Sequence, residues 1–190
     1  MICPHLVYPD IEHIPFAALK KAGFLHVVFD KDNTLTDHDV HEFLPTKYKA
    51  FAEAQSVFGE QNVGIFTNHL KIRSITHKNK LLPSELFINW DTADKKPFCL
   101  PHIEKYFRHR AGVFRSDKLV VVGDRLLTDV ALGKQAKGLS VYVLPWHLST
   151  EQPGIKFSRR IENFAWEKVY NNRLETHGNP AIQQLAASKK

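Results

Sequence analysis

A chain of 190 residues, 43% hydrophobic and 24% charged, has material for one hydrophobic core and little more; with no run of about 18 apolar residues, collagen-like, disordered and integral membrane classes are excluded. A formal net charge of +6 and a pI near 9.3 favour anionic partners such as nucleic acid, an acidic membrane face or phosphorylated metabolites, although a basic surface that only aids solubility carries the same charge. Cys3 and Cys99, neither in a C-x-x-C pair, exclude a disulfide framework and read as structural filler in a reducing compartment or organelle matrix.

In chain order, Met1-Ile2-Cys3-Pro4-His5-Leu6 reads as neither a secretory signal nor an Arg-rich presequence. Residues 16–22 predict a short amphipathic helix whose lysine-rich last turn is stopped by Gly23. His26-Val27-Val28-Phe29 predicts a buried strand running straight into Asp30. Helical spacing follows over 46–58, with Tyr48, Phe51, Ala52 and Val57 on its apolar side. A second strand, 63–66, ends at Thr67-Asn68, and Leu86-Phe87-Ile88 reads as a third. Residues 101–111 predict a helix opened by Pro101, with Ile103 and Phe107 on one face. Leu119–Val122 is the clearest strand and ends at Gly123-Asp124. A helix through Val130, Ala131 and Ala136 closes at Gly138, and a last strand over 140–144 stops at Pro145. From about 149 the chain turns polar, around Lys156, Arg159 and Arg160, with a helix predicted over 158–174 and a tail over 176–190.

Strands alternate with helices, and several strands are apolar throughout. That pattern predicts an α/β, Rossmann-like three-layer sandwich around a mainly parallel sheet buried on both faces. Sites in such sheets lie beyond the C-terminal strand ends, where Asp30, Thr67 and Asp124 all fall. The intervals from Asp30 to Thr67 and from Thr67 to Lys96 hold a helix or two but no lid domain, so the site is expected to be uncapped.

Asp30-Lys31-Asp32-Asn33-Thr34 places two carboxylates one residue apart at a strand end, where both can reach one hard cation such as magnesium. Asp30, directly after the strand, reads as a nucleophile towards phosphorus, and Asp32 as the general acid and base for leaving group and water. An Asp-rich capping turn has the same letters. Thr67 supplies a hydroxyl and an amide for a phosphate oxygen, or caps the next helix. Lys95-Lys96-Pro97 offers an ammonium for phosphate and nucleophile, or a solvated pair. Gly123-Asp124-Arg125 with Asp129 adds carboxylates at the strongest strand end, as metal ligand or as cap and turn.

Taken together, D-x-D-x-T over Asp30, Asp32 and Thr34, a strand ending in Thr67, Lys96 before proline, and Asp124 with Asp129 resemble the haloacid dehalogenase-like phosphatases over about residues 25–144. A closer resemblance over 4–150 is to the phosphatidylglycerophosphate phosphatases of mitochondria and plastids, carried also by Pro9-Asp10-Ile11, Gly23-Phe24 and Val121–Arg125. The resemblance implies a magnesium-dependent phosphatase domain over 1–150, with a C-terminal helix and tail of unassigned role over 151–190. It implies Asp30 as nucleophile and metal ligand, Asp32 as acid/base and carbonyl ligand, Asp124 as the remaining ligand, and Thr67 with Asn68 as phosphate binders. Lys96 would steady the phosphoryl intermediate, Asp129 would orient Lys96 or a metal-bound water, and Thr34 would support the loop. The implied substrate is an anionic phospholipid met by peripheral association with a membrane, on the matrix side of the mitochondrial inner membrane or else in a plastid or the cytoplasm. Each Lys or Arg near an acidic leaflet adds about 1 kcal/mol to such docking. Relatives show small residues after Ser-Asn, whereas His69-Leu70-Lys71 follow Asn68 here, which points to a reshaped entrance. The same chemistry on a soluble phosphosugar, nucleotide or phosphoprotein is the alternative. A non-catalytic basic module is a third reading, carried only by pI and Lys189-Lys190. No nucleic-acid partner is expected, because the aromatics do not interleave with Arg and Lys as a stacking platform.

Overall fold

The computed structural model describes residues 2–38, 42–68, 88, 94–145, 153–169 and 173–187. Five strands, β1 (Leu6–Tyr8), β2 (His26–Phe29), β3 (Val63–Ile65), β4 (Leu119–Gly123) and β5 (Leu139–Val143), form one sheet in the order β1-β5-β4-β2-β3. Every pairing is parallel. Alternate side chains leave opposite faces of a strand, and the core divides accordingly. Val27, Phe29, Val120 and Val122 join one apolar cluster, while Val28, Leu119 and Val121 join another. Helices α1 (Phe16–Lys21) and α2 (Pro45–Phe58) cover the first face; α3 (Leu100–Ala111) and α4 (Ala131–Gln135) cover the second. This is the expected three-layer sandwich. Gly23, at φ 90, turns the chain out of α1 in a conformation that disfavours a side chain.

From β2 the chain passes to β3 on one side and then to β4 on the other. That reversal is a topological switch point, where parallel sheets open a crevice. Asp30 and Asp124 follow the two strands that flank it, and the Asp30 amide still donates to the Val122 carbonyl at 2.8 Å.

Several elements differ from expectation. β1 was not anticipated: the three residues of Leu6–Tyr8, confined by Pro4 and Pro9, are too few for a periodic signal, yet they pair with Val141–Val143. In α2 the buried side is Lys47, Ala50, Phe51, Ala54 and Phe58, and Tyr48 is 52% exposed. Ala50, Phe51, Ala54 and Phe58 recur at helical spacing and pack in the first apolar cluster, and Lys47 joins that side with its ammonium on Glu12 at 3.0 Å. The third predicted strand lies mostly outside the described residues; Ile88 belongs to no strand, though its amide donates to the Ile65 carbonyl. The helix expected to close at Gly138 ends at Gln135, and the left-handed residue is Lys137, at φ 55. Downstream, α5 begins at Pro153 and continues to Val169 (Pro153–Phe164, then Ala165–Val169). The expected tail holds a further helix, α6 (Pro180–Ala187), whose Ile182 is buried in the first apolar cluster. Asn179 anchors it, accepting from the Ala181 amide and donating to the Ala22 carbonyl at 2.7 Å. His69, Leu70, Lys189 and Lys190 lie outside the described residues.

Candidate active site

A cavity of about 140 Å³ opens at the switch point, lined by Asp30, Asp32, Thr67, Asn68, Lys96, Asp124 and neighbours. Its floor is acidic. Carboxylate oxygens of Asp30, Asp124 and Asp129 lie within 4.8 Å of one another, and all three residues are buried. Desolvating a carboxylate favours its neutral form. Burial therefore pushes Asp30 well above its ordinary value; the Lys96 ammonium pulls it back, and Asp129 and Asp124 push it up again. Burial likewise raises Asp124 to about 6, against the pull of Arg159.

The cations are placed to match. Of the lysine pair, Lys95 is exposed and Lys96 is buried. Lys96 Nζ donates to Asp30 Oδ1 and, at 2.6 Å, to Asp129 Oδ1. Burial alone would lower its pKa, but the carboxylates of Asp129 and Asp30 more than offset that and keep it charged. Asn68 fixes the backbone of the same residue: its Oδ1 accepts from the Lys96 amide at 2.8 Å. The contact made by Asn68 is thus with the lysine loop. Thr67, also buried, donates from Oγ1 to Asp32 Oδ2 at 3.4 Å. Thr34 is buried beneath the loop, its hydroxyl without a hydrogen bond among the described residues. Gly123 permits the close approach of Asp129, since a Cβ there would meet Asp129 Cγ at 2.3 Å.

Asp32 stands apart from the side-chain cluster. The three carboxylates that converge are Asp30, Asp124 and Asp129, so Asp129 brings to the cation position the side chain that Asp32 does not. Asp32 is held instead by Lys31, whose Nζ reaches Oδ1 at 2.6 Å while the residue is only 1% exposed.

Sequence reasoning missed four charged residues. Arg159, on α5, donates from Nη2 to Asp124 Oδ2 at 2.6 Å and from Nη1 to the Asp124 carbonyl at 3.0 Å. Glu162, one turn on, accepts from Arg125 and from the Leu126 amide. Lys31 and Arg125 sit inside recognised phrases but had been given no partner. In the sequence the signal was faint, since buried charges at helical spacing have the letters of a solvated face.

All-oxygen donors in a buried cluster suit a hard cation. With all four ionised, the carboxylates of Asp30, Asp32, Asp124 and Asp129 face three cations (Lys31, Lys96, Arg159), Arg125 being neutralised by Glu162. A divalent ion would reverse that one-charge deficit and let a phosphate dianion enter. The residues fit the metal.

A parallel α/β sheet with this acidic cluster and lysine at its switch point is the arrangement of the haloacid dehalogenase-like superfamily. Within it, the chain belongs to the family described as mitochondrial PGP phosphatase, which matches residues 1–145. It is 38% identical over 167 residues to the chloroplastic phosphatidylglycerophosphate phosphatase 1 of Chlamydomonas reinhardtii, covering 85% of this chain and 60% of that protein. Identity is 31% over 166 residues to the chloroplastic/mitochondrial phosphatidylglycerophosphate phosphatase 1 of Arabidopsis thaliana, 85% of this chain and 46% of the other. A probable mitochondrial phosphatidylglycerophosphatase of Schizosaccharomyces pombe is 26% identical over 144 residues, 69% of this chain and 68% of that protein. The chain thus spans 60% and 46% of the first two relatives' lengths. No solved structure matches it.

Proposed function

We propose that this chain is a magnesium-dependent phosphatase that removes the terminal phosphate of phosphatidylglycerophosphate, on the route to phosphatidylglycerol and cardiolipin, in a mitochondrion or plastid. The observation that carries the reading is the convergence of Asp30, Asp124 and Asp129 at adjacent strand ends with Lys96 bridging two of them. The relatives' names supply the substrate.

Asp30, Asp124 and the Asp32 carbonyl would hold the magnesium, with Asp129 near by; bound there, it supplies positive charge against the phosphate oxygens. The rest is the work of side chains. Lys96 holds Asp30 by Oδ1 and keeps it aimed, its charge pulling against the burial that favours the neutral acid. A carboxylate oxygen of Asp30 forms a bond to phosphorus as the bond from phosphorus to the ester oxygen breaks. Asp32 gives its proton to the departing alkoxide. Water then attacks the phosphorus of the aspartyl phosphate, Asp32 takes up its proton, and inorganic phosphate leaves with Asp30 restored. Thr67 would donate to a phosphate oxygen, and Asn68 serves by fixing Lys96.

The test is phosphate release from phosphatidylglycerophosphate in mixed micelles beside a panel of soluble esters. Wild type is expected to prefer the lipid and to lose activity in chelator, and Asp30→Asn to be inactive. Turnover unchanged by chelator, or retained in Asp30→Asn, would overturn the chemistry. Preference for a soluble ester would overturn the substrate.

A further inference from the structure

Helix α5 carries its polarity the wrong way round for a helix packed on a core. Arg159 and Glu162 are buried, whereas Phe157, Ile161 and Phe164 are 66%, 51% and 61% exposed. Those three recur at i, i+4 and i+7, a single stripe along the helix, opposite the buried charges. Lys156, Arg160 and Lys168 are exposed on the same helix, against one exposed acid, Glu167.

The remaining exposed apolar side chains are distributed just as unevenly. Phe98 follows Lys96 by two residues, Leu127 lies in the helical segment Leu126–Val130 just after β4, and Leu144 comes directly after β5. Each therefore stands at the edge where the parallel strands end, the edge that carries the cavity. Tyr48 belongs there too, since a helix that follows a parallel strand starts at that edge. Among the large exposed hydrophobics of the described residues only Val113, past the far end of α3, falls at the opposite edge. Scattered apolar exposure is ordinary; concentration around one polar cavity marks an interaction face.

We propose that this edge is a membrane-docking face, with α5 lying in the headgroup–acyl boundary of an anionic bilayer and Phe157, Ile161 and Phe164 inserted. Aromatic and aliphatic side chains flanked by Lys and Arg are the composition of a helix seated in that boundary. The basic flank selects the occupant. An acidic leaflet complements it, whereas a second copy in a two-fold contact would set Lys156 and Arg160 against their own kind. Docked this way, the cavity faces the headgroups, and Arg159 joins the inserted helix directly to Asp124. The proposal deepens the phospholipid reading by naming its surface, and its test does not depend on that reading.

Flotation with vesicles of phosphatidylcholine, with and without phosphatidylglycerol, measures docking, and hydrolysis of p-nitrophenyl phosphate in solution reports on the folded site. Wild type is expected to float with the anionic vesicles. The triple variant Phe157→Ser, Ile161→Ser, Phe164→Ser is expected to stay behind while hydrolysing the soluble ester normally. Lys156→Gln with Arg160→Gln should weaken binding to anionic vesicles by about 30-fold and leave neutral vesicles unaffected, each charge contributing about 1 kcal/mol. Undiminished flotation of the triple variant would overturn the proposal. So would a wild-type dimer in light scattering that the triple variant converts to monomer without change in flotation. Flotation by wild type without phosphate release from either p-nitrophenyl phosphate or phosphatidylglycerophosphate would support the docking face while removing the phosphatase reading.

Discussion

Replacing Arg159 by methionine removes the guanidinium from Asp124 while keeping much of the side chain's apolar length. Asp124 is 1% and Arg159 4% exposed, so water reaches the pair only from the cavity that both line and is a poor substitute for the hydrogen bonds that the carboxylate and its carbonyl lose. Breaking a buried pair by removing one partner costs about 3–5 kcal/mol. In a chain of this size that lowers the melting temperature by about 10 °C. The pH dependence tests the cause. Burial holds the Asp124 carboxyl at about 6 in the folded chain, above its ordinary 3.8, with Arg159 the main influence the other way. The folded state therefore keeps a proton that the unfolded chain releases in that interval, and stability from this group falls as pH rises through it. Without Arg159 the folded pKa climbs higher, and stability goes on falling above that interval by about 1.4 kcal/mol per pH unit. Scanning calorimetry in chelator should find the two proteins close together at about pH 5 and well separated at about pH 8. A loss of equal size across that range would refute the reasoning, as would an undiminished loss when Arg159→Met is made in an Asp124→Asn background.

Gly123→Ala should lower turnover on phosphatidylglycerophosphate by about 100-fold, the scale of a 1 Å misplacement, because its Cβ drives Asp129 from Lys96; steady-state kinetics at saturating magnesium checks it. His26 is fully buried against Phe107 and Phe114, and burial lowers its pKa to about 4 from 6.5. Here the unfolded chain binds the proton first, so stability complete above the unfolded value is lost as pH falls towards the folded one, by up to about 3 kcal/mol. Denaturant titrations of wild type and His26→Leu should show a shallower acid loss in the variant, and parallel curves would count against it.

Strands β2, β4 and β5 were legible because a strand covered on both faces is apolar nearly throughout, His26 and Ser140 being the exceptions. Placing Asp30, Thr67 and Asp124 at one edge followed from that reading alone. β1 was not legible: its three residues gain their place from pairing with β5, a long-range fact absent from local pattern. α6 left one clue, Asn179 before Pro180, a cap followed by a first-turn proline. The resemblance picked Lys96 from the lysine pair by its place before proline; the physical reason appears only in three dimensions, where Asn68 holds the Lys96 backbone. α5 was legible only as a polar helix. It also carries an apolar stripe, which ordinarily marks a buried face and here marks the outside, because Asp124 and Arg125 give the polar side something to bind.

That inversion means that the family model and the energetics draw different borders on this chain. The family match stops at residue 145, but the ion pair on Asp124 and the acceptor for the Leu126 amide come from residues 159 and 162. A fragment trimmed to the matched region would keep every recognised motif and lose the counter-charge beneath one of them. A piece that keeps this counter-charge therefore extends through α5.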